Sequence, residues 1–328
     1  MPARENSDNA FTARTNAQKS ADATFSGALS FMRRRYSRDL SGTDAVVWGI
    51  PFDAATSNRP GARFGPRGIR AASAIMDNDP QYPFGFYVFD ELSVVDYGDA
   101  TFDYGRPLDA AAEIEAQASA IITSETEPYL LSLGGDHFVT YPLLKAHAAK
   151  YGPVDLVQFD AHQDTWDDDG KRMDHGTFVS RAVDEGLINP ERSIQIGIRT
   201  NAPKDHGIEI IPAFEAEQMS VIDIAKRVYE RVEGSNCYLT FDIDALDPAF
   251  APGTGTPVSG GFTSAKALAV LADLKNIVFV GSDVVEVAPA YDHADITSIA
   301  GASVASMMLQ LLAERRRNSG TFHEKDRD

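Results

Sequence analysis

The sequence predicts a three-layer α/β/α domain on a mostly parallel sheet, and three observations carry that reading. Short apolar runs of strand character alternate with longer helical stretches, the pattern of parallel strands joined by crossover helices. No internal repeat and no linker divides the chain, so one domain accounts for it. Its 328 residues, 43% of them hydrophobic, are enough to bury a sizeable core.

In chain order, residues 1–43 are rich in Ala, Ser, Asn and Thr and read as a loosely ordered arm. The domain then spans 44–316. Ala45 to Ile50, A-V-V-W-G-I, is a strand ended by Pro51. Leu108 to Ile122 is a helix by propensity and spacing. Pro128 to Leu133 is the next strand, followed after a loop by a helix over Tyr141 to Lys150. Val154 to Phe159 is a buried strand, as are S-I-Q-I-G-I from Ser193 and C-Y-L-T-F from Cys237. Ile277 to Val287 supplies one more, and a final helix runs from near Thr297 to about Arg316. Residues 317–328 read as a flexible tail.

Composition excludes several classes of function. No apolar run approaches the ~20 residues that span a bilayer, and the N-terminus lacks the apolar core of a secretion signal. The single cysteine, Cys237, cannot form an internal disulfide and fits a reducing compartment. A cytoplasmic protein is the expectation. A net charge of −18 argues against nucleic acid, which needs clustered Lys and Arg. The basic triplets Arg33 to Arg35 and Arg315 to Arg317 are expected as solvated faces or subunit contacts. An acidic surface weakly favours small cations.

The chemistry falls at strand ends, where open α/β sheets bind their ligands. One strand is followed by G-G-D-H, carrying His137; the next runs into D-A-H-Q-D, with Asp160, His162 and Asp164; a third ends D-I-D, with Asp242 and Asp244. Residues two apart in an extended segment share a side, so each group can point one way. Singly, these are a turn with a hydrogen-bonded histidine, an acidic loop and a solvated edge. Together they put four carboxylates and two imidazoles at neighbouring ends, and such carboxylates repel unless a cation sits among them. The oxygen-rich set suits Mn²⁺ better than a structural Zn²⁺ site. Six side chains exceed what one small ion needs; two ions with shared carboxylates would use them all and acidify a water between them. His175 reads as a core histidine or a catalytic one, and Glu286 as a solvated strand end or a cation acceptor. The glycine-rich Ala251 to Gly261 is a shaped turn without a phosphate-loop ending.

G-G-D-H, D-A-H-x-D and F-D-I-D-A-L-D-P-A-F-A-P-G-T-G-T-P-V-S-G-G resemble the ureohydrolases, the manganese family that includes arginase and agmatinase. The likeness runs from about Trp48 to the final helix. P-F-D-A-A-T-S-N-R-P-G-A-R-F-G-P, D-H-G-T-F and D-V-V-E-V-A-P-A-Y-D are most similar to the agmatinase branch. The resemblance implies an arginase-like fold, a guanidino substrate, urea as product, and a homotrimer or homohexamer. It implies one Mn²⁺ on His137, Asp160, Asp164 and Asp242, and a second on His162, Asp160, Asp242 and Asp244, with Asp160 and Asp242 bridging. Glu286 matches the acid that binds the guanidinium; Asp164 would take a proton from the attacking water, and His175 would give one to the departing amine.

The loop Thr165 to Asp174 has three consecutive acids and none of the Asn and Ser that receive an amino-acid head group in arginases. Agmatine, with its distal ammonium, is therefore the expected substrate, with Asp167 and Asp168 facing that ammonium. A guanidino acid such as guanidinobutyrate, a formimino substrate, and a non-catalytic metal- or agmatine-binding regulator are the alternatives.

Overall fold

A computed structural model describes residues 8–16, 23–76, 80–232 and 234–319. Eight strands form one sheet: β1 Ala45–Ile50, β2 Val94–Asp99, β3 Tyr129–Gly134, β4 Asp155–Phe159, β5 Ile194–Ile198, β6 Glu209–Pro212, β7 Asn236–Asp242 and β8 Val278–Val285. Their order is β2-β1-β3-β8-β7-β4-β5-β6, and every pairing is parallel.

The main helices are α1 Gly65–Ser73, α2 Ala110–Ile122, α3 Thr140–Tyr151, α4 Phe178–Asp184, α5 Val221–Val232, α6 Ser264–Asp273 and α7 Ile296–Ser319. They cover both faces of the sheet, because successive strand residues feed opposite layers. In β7, Cys237, Leu239 and Phe241 join the cluster under α1, α5, α6 and α7, while Tyr238 joins the one under α2, α3 and α4. In β1, Val47 goes to the first cluster, and Val46, Trp48 and Ile50 to the second. This is the expected three-layer arrangement.

Two expectations are corrected. Part of the segment read as a loose arm is packed: Phe31 and Met32 are fully buried, and the Phe31 amide donates to Asp96 Oδ2 at 2.7 Å. Residues 1–7 and 17–22 of that segment lie outside the described residues, as do residues 320–328 of the predicted tail. The triplet Arg33 to Arg35 is not a solvated face throughout. Arg34 is wholly buried, with its guanidinium 3.9 Å from the centre of the Phe89 ring. A guanidinium stacked on an aromatic face and bonded to backbone oxygen (its Nε donates to Met32 O at 2.9 Å) keeps its charge satisfied inside. At the other end, Arg316 pairs with Asp44 and Arg317 with Glu91, tying α7 to the start of β1 and the turn before β2.

By length and composition α7 could cross a bilayer, although no uninterrupted apolar run reveals it in the sequence. Within the fold 78% of its most apolar stretch is buried, which accounts for that apolarity as core. Strands β3, β8, β7 and β4 are consecutive in the middle of the sheet, and their carboxyl ends carry every predicted ligand.

Candidate metal centre

The turn after β3 brings His137 back over the sheet. A Cβ on Gly135 would lie 1.8 Å from the Phe52 carbonyl oxygen, and one on Gly134 would meet Val285 at 2.5 Å. Only glycine allows these approaches. Asp136 then accepts the Phe138 amide at 3.2 Å and the Ala55 amide at 2.7 Å, fastening the turn to the loop after β1. It is fully buried, and burial, then the neighbouring Glu286, pushes its carboxyl well above the usual range.

His137 Nδ1 lies 3.0 Å from Asp160 Oδ2, 3.1 Å from Asp164 Oδ2 and 3.2 Å from Asp242 Oδ2. His162 Nδ1 lies 3.1 Å from Asp244 Oδ2 and 3.5 Å from Asp160 Oδ1. Asp160 thus turns one oxygen to each group. Asp242 turns Oδ2 to the first, while its Oδ1 accepts the Asp244 amide at 2.7 Å. Separations near 3 Å are the edges of a coordination polyhedron with bonds of about 2.1 Å.

The neighbours of His137 say what belongs there. The Thr240 hydroxyl donates to Asp283 Oδ1 at 2.6 Å, so it must accept from His137 Nε2, 2.8 Å away. A neutral ring with its proton on Nε2 leaves Nδ1 bare and facing three carboxylate oxygens. That nitrogen is buried and has no hydrogen-bond partner among the described residues. The arrangement fits a cation and is repulsive without one. In the metal-free chain a proton stands in: burial opposes charging, but Asp160, Asp164 and Asp242 outweigh it and hold the His137 pKa well above its ordinary value. Burial and the Asp160 charge push the Asp164 pKa up to about 6. Burial, then Asp244 and Asp160, raises Asp242 well above the usual range. For His162 the opposing burial is outweighed by Asp244 and Asp160, which take it to about 12.

Glu286 follows β8 directly. Its Oε1 accepts the His137 amide at 2.9 Å and bonds His175 Nδ1 at 2.7 Å, while Oε2 is buried with no hydrogen-bond partner among the described residues. Glu286 and Asp164 both have left-handed backbone, φ 64° and 52°, an uncommon conformation for a side-chain-bearing residue and one found at functional positions. His175 opens a short turn capped by Asp174, and its Nε2 is 2.7 Å from Ser57 Oγ. Burial opposes charging of this ring, but Glu286 outweighs it and raises the His175 pKa to about 9.

The structure brings His137, Asp160, His162, Asp164, Asp242, Asp244, His175 and Glu286 together. The reading of Asp168 as a free anion at the rim is corrected. Its two carboxylate oxygens each accept from Arg181, at 2.7 Å, and the pair is nearly buried. Asp167 is exposed and paired with Lys204 at 2.7 Å. Positioning residues escaped the sequence reading: Gln158, whose Nε2 donates to Asp160 Oδ2 at 2.7 Å, Gln195 behind it, and the Thr240–Asp283 pair. The available signal was a polar residue inside an otherwise apolar strand.

With this geometry established, a match of residues 43–310 to the model of the arginase family decides the relationship. The chain belongs to the arginase family. A curated agmatinase of Chromobacterium violaceum is 48% identical over 90% of this chain and 92% of its own. The crystal structure of a hypothetical agmatinase from Burkholderia thailandensis superposes with a TM-score of 0.93 at 48% identity, covering 95% of this chain and 98% of that one. Proclavaminate amidino hydrolase from Streptomyces clavuligerus superposes at 0.83 with 37% identity, over 90% and 100% of the two chains. In this arginase-family chain the convergent side chains lie where the parallel sheet of the fold opens at its carboxyl edge.

Proposed function

We propose that the chain is an agmatinase that hydrolyses agmatine to putrescine and urea with two Mn²⁺ ions. The observation that carries the reading is Glu286 Oε2, a buried, partnerless carboxylate oxygen beside a cluster suited to cations. Curated agmatinases at 45–48% identity support the choice of substrate.

His137, Asp160, Asp164 and Asp242 would hold one ion, and His162, Asp160, Asp242 and Asp244 the other, with Asp160 and Asp242 shared. Bound there, the ions supply a water acidic enough to serve as nucleophile at neutral pH. Glu286 is held by two bonds at Oε1, so Oε2 can accept N–H bonds from a planar guanidinium without reorganising. Gly255 keeps the space beside it open, since a Cβ there would lie 3.3 Å from Oε2. Asp164, whose Oδ2 lies 3.1 Å from His137 Nδ1 at the edge of the cluster, is suited to take the proton of the attacking water at a carboxylate oxygen. His175 is suited to give a proton to the departing amine nitrogen.

A second reading has a specific observation behind it. Asp168 is neutralised by Arg181 and Asp167 is paired with Lys204, which weakens the charge barrier against a guanidino acid. Urea release from agmatine, arginine, guanidinobutyrate and guanidinopropionate, with added Mn²⁺, separates the two. Agmatine is expected to give the highest kcat/KM. No urea from any of the four refutes the proposal, and a preference for guanidinobutyrate replaces it with the second reading.

A further inference from the structure

We propose that the Ser57 hydroxyl is the positioning group of His175, holding the ring at Nε2 in both of its protonation states. The inference rests on the reading of His175 as proton donor and deepens it.

Two groups of the same residue reach Nε2: the Ser57 amide nitrogen at 3.1 Å and Oγ at 2.7 Å. They are not equivalent. A backbone N–H can only donate, so it serves Nε2 while that nitrogen is bare and opposes the charged ring. A hydroxyl donates to the bare nitrogen and, rotated, accepts from the protonated one. On the other side, Nδ1 is fixed to Glu286 Oε1, which the His137 amide holds in turn. The charges acting on the ring are those of Glu286, Asp164 and Asp136. The hydrogen bonds recorded at Nε2 among the described residues come from Ser57 alone.

The loop that presents Ser57 is built to hold it there. It leaves β1, and Ala55 both gives its amide to Asp136 and accepts the His175 amide at 3.2 Å. Asn58 Nδ2 donates to the Gly255 carbonyl at 2.9 Å. The ring is therefore clamped between two loops, and one exposed hydroxyl adapts to its proton count.

This makes an asymmetric prediction. Ser57→Ala keeps the amide, which favours the neutral ring, and removes the acceptor, which favours the charged one. In the Mn²⁺-loaded enzyme with agmatine, kcat should fall roughly ten- to a hundredfold, the worth of a hydrogen bond to a charged group. KM should stay within about twofold, because the guanidinium contact at Glu286 is untouched. The alkaline limb of kcat should move down by about one pH unit, and the titration of His175, followed by its imidazole nitrogen shifts in ring-labelled protein, should move with it. Ser57→Thr, which restores a hydroxyl, should recover most of the lost kcat. Wild-type kcat and an unmoved His175 titration in Ser57→Ala would overturn the inference, and so would a loss, uniform across pH, that Thr does not rescue. His175→Ala runs in parallel. If that variant keeps full turnover, the proton-donor reading itself falls; if it collapses while Ser57→Ala is intact, only the present inference does.

Discussion

At the scale of single residues, the useful signals are buried polar atoms left without partners. His137 Nδ1 and Glu286 Oε2 are two such atoms, and desolvating them without compensation is costly. The two residues are joined by the His137 amide on Glu286 Oε1, and a cation at one atom and a guanidinium at the other would satisfy both. The ligand residues were legible because their identities and their spacing at strand ends are local properties. Asp168 was not, since its partner Arg181 lies 13 positions along the chain and only the folded loop joins them. Gly255 was read as part of a shaped turn, and its geometry sharpens that into a test. A methyl group there would sit 3.3 Å from Glu286 Oε2 and 3.1 Å from the Arg59 carbonyl oxygen. Gly255→Ala should therefore narrow the guanidinium slot and raise the KM for agmatine roughly tenfold. Mn²⁺ content, measured by elemental analysis, should be unchanged. An unaltered KM would mean that the substrate does not approach Glu286 past this turn.

At the scale of elements, the central strands were read closely and both sheet edges were missed. β1 was predicted at its observed bounds, and β3, β4, β5, β7 and β8 to within a few residues. The missed strands, β2 (V-V-D-Y-G-D) and β6 (E-I-I-P), are the two edges of the sheet. Both carry acidic residues together with glycine or proline, so they give a weak hydrophobic signal. Helices α1 and α5 are strongly amphipathic, so their spacing makes them legible in the sequence. One contact between elements carries a stability prediction. His147 of α3 lies wholly buried over β8, and a Cβ on Gly281 would fall 2.2 Å from its Nε2. Burial holds the His147 pKa down to about 4, so the ring is neutral, and its Nδ1 is bonded to the Leu143 carbonyl. The ring cannot swing away without breaking that bond. Gly281→Ala should cost about 1–3 kcal/mol by overpacking. Urea unfolding should show a lower midpoint at unchanged m value. An unshifted midpoint would show that α3 can slide on the sheet.

At the scale of the whole molecule, the acidic charge is not spread evenly. Of the 48 acidic side chains, Asp160, Asp164, Asp242 and Asp244 are buried together at the middle of the sheet's carboxyl edge. Their crowding makes the stability of the metal-free chain depend on pH in a definite direction. The Asp164 and Asp242 pKa values are raised above the unfolded reference of about 3.9. A carboxyl raised on folding gives its full stabilisation below the unfolded value and loses it as pH rises through the folded one. For Asp164 that loss runs from about pH 4 and is nearly complete at about pH 6, and for Asp242 it extends higher. The histidines act in the same sense, since His137 and His162 are also raised and their stabilisation fades as pH rises beyond neutrality. Asp160, lowered by His137 and His162 despite its burial, works the opposite way, but its contribution is complete well below pH 5. Cation binding removes the penalty and itself strengthens with pH, because ligands must shed their protons. The gap in Tm between Mn²⁺-loaded and chelator-treated protein should therefore widen steadily from about pH 5 to pH 8. Asp242→Asn separates this from a general effect of divalent ions. Removing one buried charge should raise the Tm of the chelated protein at pH 8 while abolishing most of the gain from Mn²⁺. A gap that stays constant with pH, or a variant that still gains fully from Mn²⁺, would mean that these carboxylates are not where the ions bind.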